Sequence, residues 1–278
     1  MQKTLKSPCA FQGLGLFTGA HCAVRLVPAG AGHGIVFRRM DLPSKPEVPA
    51  RLEFSVQAPR TTRLLKGEAS VLTVEHLLSG LFGLGIDNLD IEVQGPEIPI
   101  LDGSAKEFVR LIEEAGIQPL SLPKKTIRIE SPIYWSEGNI HLVALPSPES
   151  RFSYTLHYPH SPVLRSQYHS YTFNPETYKT EIAMCRTFTL YEDIAPMIEQ
   201  GLLKGGGLDN GVVIQGGQVL NPGGLRDFLE PVKHKILDLM GDLSLLGGVV
   251  QGHILAVRSG HASNMAFAHE IMKRNHHG

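Results

Sequence analysis

Two distant stretches of this chain close in the same order: helix, strand, glycine turn, helix. That repetition constrains the fold more than any single motif. In the first stretch an apolar helical segment over about 73–84 leads to the alternating run Asn88-Leu89-Asp90-Ile91-Glu92-Val93, then to Gly103 and a helix start at Ser104. In the second, the helical segment containing His234 and Asp238 leads to His253-Ile254-Leu255-Ala256-Val257, then to Ser259-Gly260-His261-Ala262-Ser263 and a final helix. His76 stands almost as far before Gly103 as His234 stands before Gly260. The expected fold class is therefore α+β. Two similar β-sheet-plus-helix domains pack face to face as a sandwich, with helices between the sheets and a small insert in each. Equivalent helices would then carry His76 up against His234 and Asp238, although the sequence holds them far apart.

A length of 278 residues suits two domains, each able to bury a core. The Gly- and Pro-punctuated run Gly116-Ile117-Gln118-Pro119-Leu120-Ser121-Leu122-Pro123 is the expected linker. Residues 1–120 form the first domain, carrying Glu75 and His76. Residues 125–278 form the second, carrying His234, Asp238 and His261, with an insert over about 190–213. Further strands are expected at Cys22–Val27, Gly34–Phe37, Lys125–Ile129 and Ile140–Ala144, and a helix at Tyr191–Gln200. Ser104-Ala105-Lys106-Glu107 has capping-box spacing, with Gly116 as the stop. The loop Gly201–Gly207 is glycine-rich but lacks phosphate-loop spacing and no strand leads into it. It reads as a flexible flap or a close backbone approach.

Composition narrows the partners. A net charge of −1 gives no global attraction to nucleic acid or anionic lipid, so no nucleic-acid partner is expected. No apolar run is long enough to span a bilayer, and the first residues lack a signal-peptide core. Cys9, Cys22 and Cys185 are scattered and odd in number, which fits reduced thiols and a cytoplasmic setting. The tail Asn275-His276-His277-Gly278 could bind metal adventitiously.

The chemistry concentrates on a few residues. His234 and Asp238 share a helical face, roughly 5–6 Å apart at Cβ. Asp242 extends that stripe by another turn. Three ionisable groups on a helix otherwise built from Ile236, Leu237, Leu239, Met240 and Leu243 are costly to bury without partners or a metal. Together with His76, His234 and Asp238 make two imidazoles and one carboxylate, a zinc set whose fourth position stays open for water. The set would accept Fe²⁺ as well as Zn²⁺. Glu75, beside His76, is a candidate base. Taken alone, His76 in its apolar helix reads more readily as a hydrogen-bonded core histidine, and His261 as an exposed turn residue. Arg186-Thr187-Phe188-Thr189 reads equally well as a strand end or a core contact, and Gly95–Ser104 as a rigid turn into a helix with no catalytic role.

Together these segments resemble the zinc-dependent UDP-3-O-acyl-N-acetylglucosamine deacetylases of bacterial lipid A biosynthesis. The matching pieces are Gly13-Leu14-Gly15-Leu16, Thr73–Leu77, Gly85-Ile86-Asp87-Asn88 and Glu97–Ser104. They continue with Cys185-Arg186-Thr187-Phe188, His234-Lys235 with Asp238, Gly241-Asp242-Leu243 and Ser259-Gly260-His261-Ala262. They keep the family order and cover nearly the whole chain. The resemblance implies that His76, His234 and Asp238 hold zinc and that an N-acetyl group is hydrolysed to acetate. Zinc would polarise the amide and acidify water. Glu75 would take the proton, and the Thr187 hydroxyl would meet the oxyanion. A cationic His261, oriented by Asp242, would protonate the leaving amine. Lys235, pointing off the metal stripe, would face the substrate's diphosphate. Phe188, Ile194, Leu203 and Val213, with Leu16 nearby, would wall a passage for the acyl chain.

The substrate so implied is a UDP-linked acylated glucosamine, met by a monomer that touches the membrane surface transiently. Phe152, Tyr154, Arg186 and Lys204 are candidates for gripping the uridine. One departure is Phe17, where many members have histidine. Two alternatives stay open: a zinc hydrolase of another N-acyl sugar, and a non-catalytic lipid- or nucleotide-binding relative.

Overall fold

The computed structural model describes residues 1–275, so the histidines of the terminal tail lie outside the described residues. Its frame is two sheets, of five and six strands, that share a five-strand plan. In the first the strand order is Cys9–Leu14, His21–Pro28, Leu89–Gln94, Ile35–Arg39, Glu47–Pro49. In the second it is Ile133–Glu137, Ile140–Leu145, Val249–Val257, Ser150–Tyr158, Arg165–Thr172, with Thr126–Arg128 added alongside Val249–Val257. Each central strand is the last in sequence and pairs parallel to one neighbour and antiparallel to the other. The expected α+β sandwich of two sheet-plus-helix halves is therefore what the chain forms.

Alternation explains which face each sheet buries. Val24 and Leu26 turn inward from His21–Pro28, while Ala23 and Arg25 turn out. Phe152, Tyr154 and Leu156 do the same in the second sheet. Between the sheets lie α1 (Glu75–Leu84) and α2 (Lys106–Ala115) from the first half. A short helical turn, α3 (Pro175–Thr177), and the outlying helix α4 (Tyr191–Glu199) precede α5 (Glu230–Ser244) and α6 (His261–Asn275). Residues of both halves join one apolar cluster, among them Leu77, Leu81, Phe108, Ile236, Met240 and Phe267. No described helix is long and apolar enough to cross a membrane.

The start of α2 differs from the capping-box expectation. The helix begins at Lys106, and Ser104 Oγ accepts the Lys106 N–H at 3.2 Å while donating to Asp102 at 2.7 Å. Glu107 pairs with Arg110 and does not reach back to Ser104. The Ser104 hydroxyl hydrogen points to Asp102, and a single serine serves the turn and the helix at once.

Each half also carries a small three-stranded insert. The first is built from Ser55–Val56, Arg63–Lys66 and Ala69–Leu72. The second is built from Phe188–Leu190, Val212–Gln215 and Gln218–Val219, with α4 packed on it. The glycine-rich loop makes a close backbone approach. Gly205 N–H donates to Leu16 O at 3.1 Å, and a Cβ at 205 would lie 2.1 Å from Gly15 O. No side chain fits there, so the second insert rests on the first half through this glycine.

Candidate active site

Helices α1 and α5 cross at the seam between the halves. A Cβ at Gly241 would sit 2.2 Å from the Glu75 carbonyl oxygen, so only glycine at 241 lets the backbones come this close. The crossing brings His76 from α1 beside His234 and Asp238 from α5. The two imidazole centroids are 4.9 Å apart, ring edge to ring face. Asp238 Oδ1 lies 3.2 Å from His234 Nε2 and 3.5 Å from His76 Nε2. One donor atom from each of the three residues falls within 4.8 Å of the others, and all three side chains are buried.

The hydrogen bonds show what these atoms await. His234 Nδ1 is 3.0 Å from the Cys185 carbonyl, which fixes the proton on that nitrogen and leaves a lone pair on Nε2. Asp238 Oδ2 accepts from Lys235 Nζ at 2.8 Å. His234 Nε2 and Asp238 Oδ1 are buried with no hydrogen-bond partner, an arrangement that costs stability unless something else engages them. A divalent cation satisfies both, and the two-imidazole, one-carboxylate set fits such an ion. Burial alone would raise the Asp238 carboxyl, but His234 and Lys235 beside it hold it well below the usual carboxylate range. It is therefore ready to ligate.

Lys235 corrects one sequence expectation. It does not point off the metal stripe. It is three residues before Asp238, so the two side chains are helical neighbours and form an ion pair. Burial opposes its charge, but Asp238 outweighs burial and holds the ammonium above its ordinary range.

A second polar cluster adjoins the first. Glu75 is 3% exposed, and burial pushes its carboxyl up. It accepts from Thr61 Oγ1 at 3.1 Å and from the Thr62 N–H at 3.1 Å. His261 Nε2 stands 3.7 Å from Glu75 Oε1, while its Nδ1 is 2.9 Å from Asp242 Oδ2 and 3.1 Å from Thr62 Oγ1. Burial would lower the His261 pKa, but the Asp242 and Glu75 carboxylates lift it to about 9. Asp242, fully buried, also accepts from Thr62 Oγ1 at 2.6 Å and Asn264 Nδ2 at 2.8 Å.

A cavity of about 1040 Å³ opens from these clusters. Thr187, His234, Lys235, Asp238 and His261 line its polar end, and Leu16, Phe17, Phe188, Ile194, Leu203 and Val213 line its apolar length. All the expected wall residues thus meet in one cavity. Of the four uridine candidates, two are already committed. Arg186 is buried in an ion pair with Glu230 at 2.8 Å, and the Tyr154 hydroxyl donates to the Ser259 carbonyl. Thr61, Thr62 and Asn264, which hydrogen-bond Glu75 and Asp242, are not legible from sequence. A lone threonine or asparagine in a loop or helix carries no periodic signal.

Comparison with known proteins places this architecture. Residues 2–273 match the family model described as LpxC, UDP-3-O-acyl N-acetylglycosamine deacetylase. The chain is 45% identical over 273 residues to the UDP-3-O-acyl-N-acetylglucosamine deacetylase of Chlamydia pneumoniae, covering 98% of this chain and 97% of that protein. It is 42% identical over 272 residues to the enzyme of that name from Chlamydia caviae, covering 98% and 97% of the two chains. With the one from Chlamydia trachomatis serovar L2 it shares 41% over 276 residues, 99% and 96% of the two. A fold of paired sheets with its polar seam between α1 and α5, matched along almost its whole length, means that this chain belongs to the UDP-3-O-acyl N-acetylglycosamine deacetylase family.

Proposed function

We propose that this protein hydrolyses the N-acetyl group of UDP-3-O-acyl-N-acetylglucosamine, giving UDP-3-O-acyl-glucosamine and acetate for lipid A biosynthesis, with zinc held by His76, His234 and Asp238. The observation that carries the reading is a pair of partnerless buried ligand atoms, His234 Nε2 and Asp238 Oδ1, beside a base–acid pair 3.7 Å apart. The same donor set takes Fe²⁺, so either ion can supply the Lewis acidity that polarises the acetamide carbonyl and acidifies an attacking water.

The chain's own residues divide the remaining work. Glu75, oriented by the Thr61 hydroxyl and the Thr62 amide, takes the proton of the attacking water. Thr187, at the polar end of the cavity, donates its hydroxyl to the oxygen that gains charge as the carbonyl becomes tetrahedral. His261, protonated because Asp242 and Glu75 stabilise the cation, passes its Nε2 proton to the nitrogen as the C–N bond breaks. Lys235 braces Asp238 and also lines the cavity, where a diphosphate would suit its charge.

The apolar length of the cavity suits a fatty chain, each buried CH₂ contributing about 0.8 kcal/mol. Ile198, Leu208 and Leu220 line it and are also exposed, so its outer end is apolar where a chain would emerge from a membrane surface. The same reading assigns residues 1–120 and 125–278 to two domains acting within a cytoplasmic monomer, and the matching strand order supports that division. The test is acetate release from UDP-3-O-acyl-N-acetylglucosamine after chelation and after stoichiometric Zn²⁺ is restored. Loss followed by recovery is expected. Undiminished turnover without metal overturns the mechanism, and no acetate under any condition overturns the substrate.

A further inference from the structure

Glu97 lies in a turn that contributes nothing to the metal set or to the acid–base pair, yet its carboxylate accepts four hydrogen bonds beside the cavity wall. It is fully buried. Its Oε1 accepts the Phe17 N–H at 3.0 Å and the Thr73 hydroxyl at 2.7 Å. Its Oε2 accepts the Thr18 N–H at 2.9 Å and the Thr18 hydroxyl at 2.7 Å. The carboxylate is also pressed against the main chain, since a Cβ at Gly15 would meet Oε2 at 2.3 Å. The loop it grips is the one that sends Leu16 and Phe17 into the cavity wall and carries the glycine-rich loop on Leu16 O and Phe17 O.

The other side of the same carboxylate reaches the start of α1. Thr73 has φ +58°, a left-handed conformation that a β-branched residue adopts only when its surroundings hold it. Glu97 holds its hydroxyl. One buried side chain thus ties the apolar wall to the turn from which Glu75 and His76 emerge.

We propose that Glu97 is a positioning residue that sets acyl-chain fit by pinning the Leu16–Phe17 wall. The proposal rests on the acylated-substrate reading above. Its chemistry makes Glu97→Gln a selective probe. A glutamine must place its NH₂ where Oε1 or Oε2 was, and there it faces the N–H of Phe17 or of Thr18. A hydroxyl can rotate from donor to acceptor, but a backbone N–H cannot. The loop therefore loses an anchor in either orientation, whereas Thr73 can keep a bond.

The experiment compares UDP-3-O-acyl-N-acetylglucosamines with a four-carbon chain and with a chain of twelve or more carbons, in wild type, Glu97→Gln and Thr18→Val. Glu97→Gln is expected to raise KM for the long-chain substrate about tenfold with kcat within about twofold, and to affect the short-chain substrate much less. Thr18→Val removes the hydroxyl's bond to Glu97 together with the acceptor it offers the Ala20 N–H, both within the same loop, and should shift KM in the same direction by about threefold. Calorimetric binding of the long-chain substrate to chelated protein should weaken in parallel, independently of turnover. Equal losses on both substrates, or a fall in kcat alone, would assign Glu97 a merely structural role and overturn the proposal. If Glu97→Gln does not fold, an unchanged chain-length preference in Thr18→Val overturns it. Should wild type release no acetate from either substrate, the failure belongs to the functional reading, while the binding comparison still judges Glu97.

Discussion

The two polar clusters at the α1–α5 seam are neighbours built on opposite principles. Around Glu75, His261 and Asp242, carboxylates and ring nitrogens find partners within the protein: Thr61, Thr62, Asn264 and one another. Around His76, His234 and Asp238, buried donor atoms face each other without partners. In the first cluster the carboxylates are already hydrogen-bonded when the chain folds. The second would be completed by the proposed metal, which makes it the less stable region without one and the more responsive one. Preorganisation serves proton transfer, where reorganising during the reaction would slow it. Unsatisfied ligands serve capture, because binding then recovers a cost already present.

Substitutions can break this contrast. The largest effect is expected from His234→Ala, which should reduce bound metal from about one ion per chain to almost none. It should lower kcat/KM by about 10³-fold or more, as expected when several kcal/mol of Lewis-acid stabilisation vanish. Metal analysis alongside kinetics checks both. Glu75→Gln should cost about 10²- to 10⁴-fold in kcat while metal content stays at the wild-type level. Loss of metal in that variant would mean that the two clusters are one unit.

Asp242→Asn should cost about tenfold at neutral pH and reshape the pH profile. A profile rising as Glu75 loses its proton and falling as His261 loses its own is expected, with the alkaline limb near the His261 value of about 9. The Asp242 charge stabilises protonated His261, so removing it lowers that pKa and moves the alkaline limb toward acid. An unmoved limb would assign the alkaline pKa to another group. The smallest effect is expected from Asn264→Ala, which deletes one donor to Asp242. It should destabilise the fold by about 1–2 kcal/mol in denaturant titration and change turnover by only about threefold. A larger kinetic effect would show that the acid side is less completely held than its hydrogen bonds imply.

The readable part of this site was whatever repeats or spaces regularly. His234 and Asp238 announce themselves by sharing a helical face among apolar residues, and the matching helix–strand–turn order foretold both the paired sheets and the meeting of His76 with α5. Lys235 departs from expectation because its partner is not the neighbouring His234 but Asp238, one turn on along the same helix. Thr61 and Thr62 were invisible for a different reason. Their value comes from a loop conformation fixed by tertiary contacts, and small polar residues occur in loops everywhere. Glu97 was read as part of a rigid turn, which is correct for its backbone and incomplete for its carboxylate.

The shared strand order of the two sheets bears on how the molecule assembles. Because the ligands come from helices in different repeats, separated by the stretch from residue 76 to residue 234, closing the triad pays the entropy of a very long loop. A half-formed chain offers an ion at best the adjacent pair on α5. A metal held by the proposed triad would therefore not nucleate folding. It would lock the two repeats after they have docked, and withholding it during synthesis should leave the order of folding unchanged while the finished molecule comes apart more often.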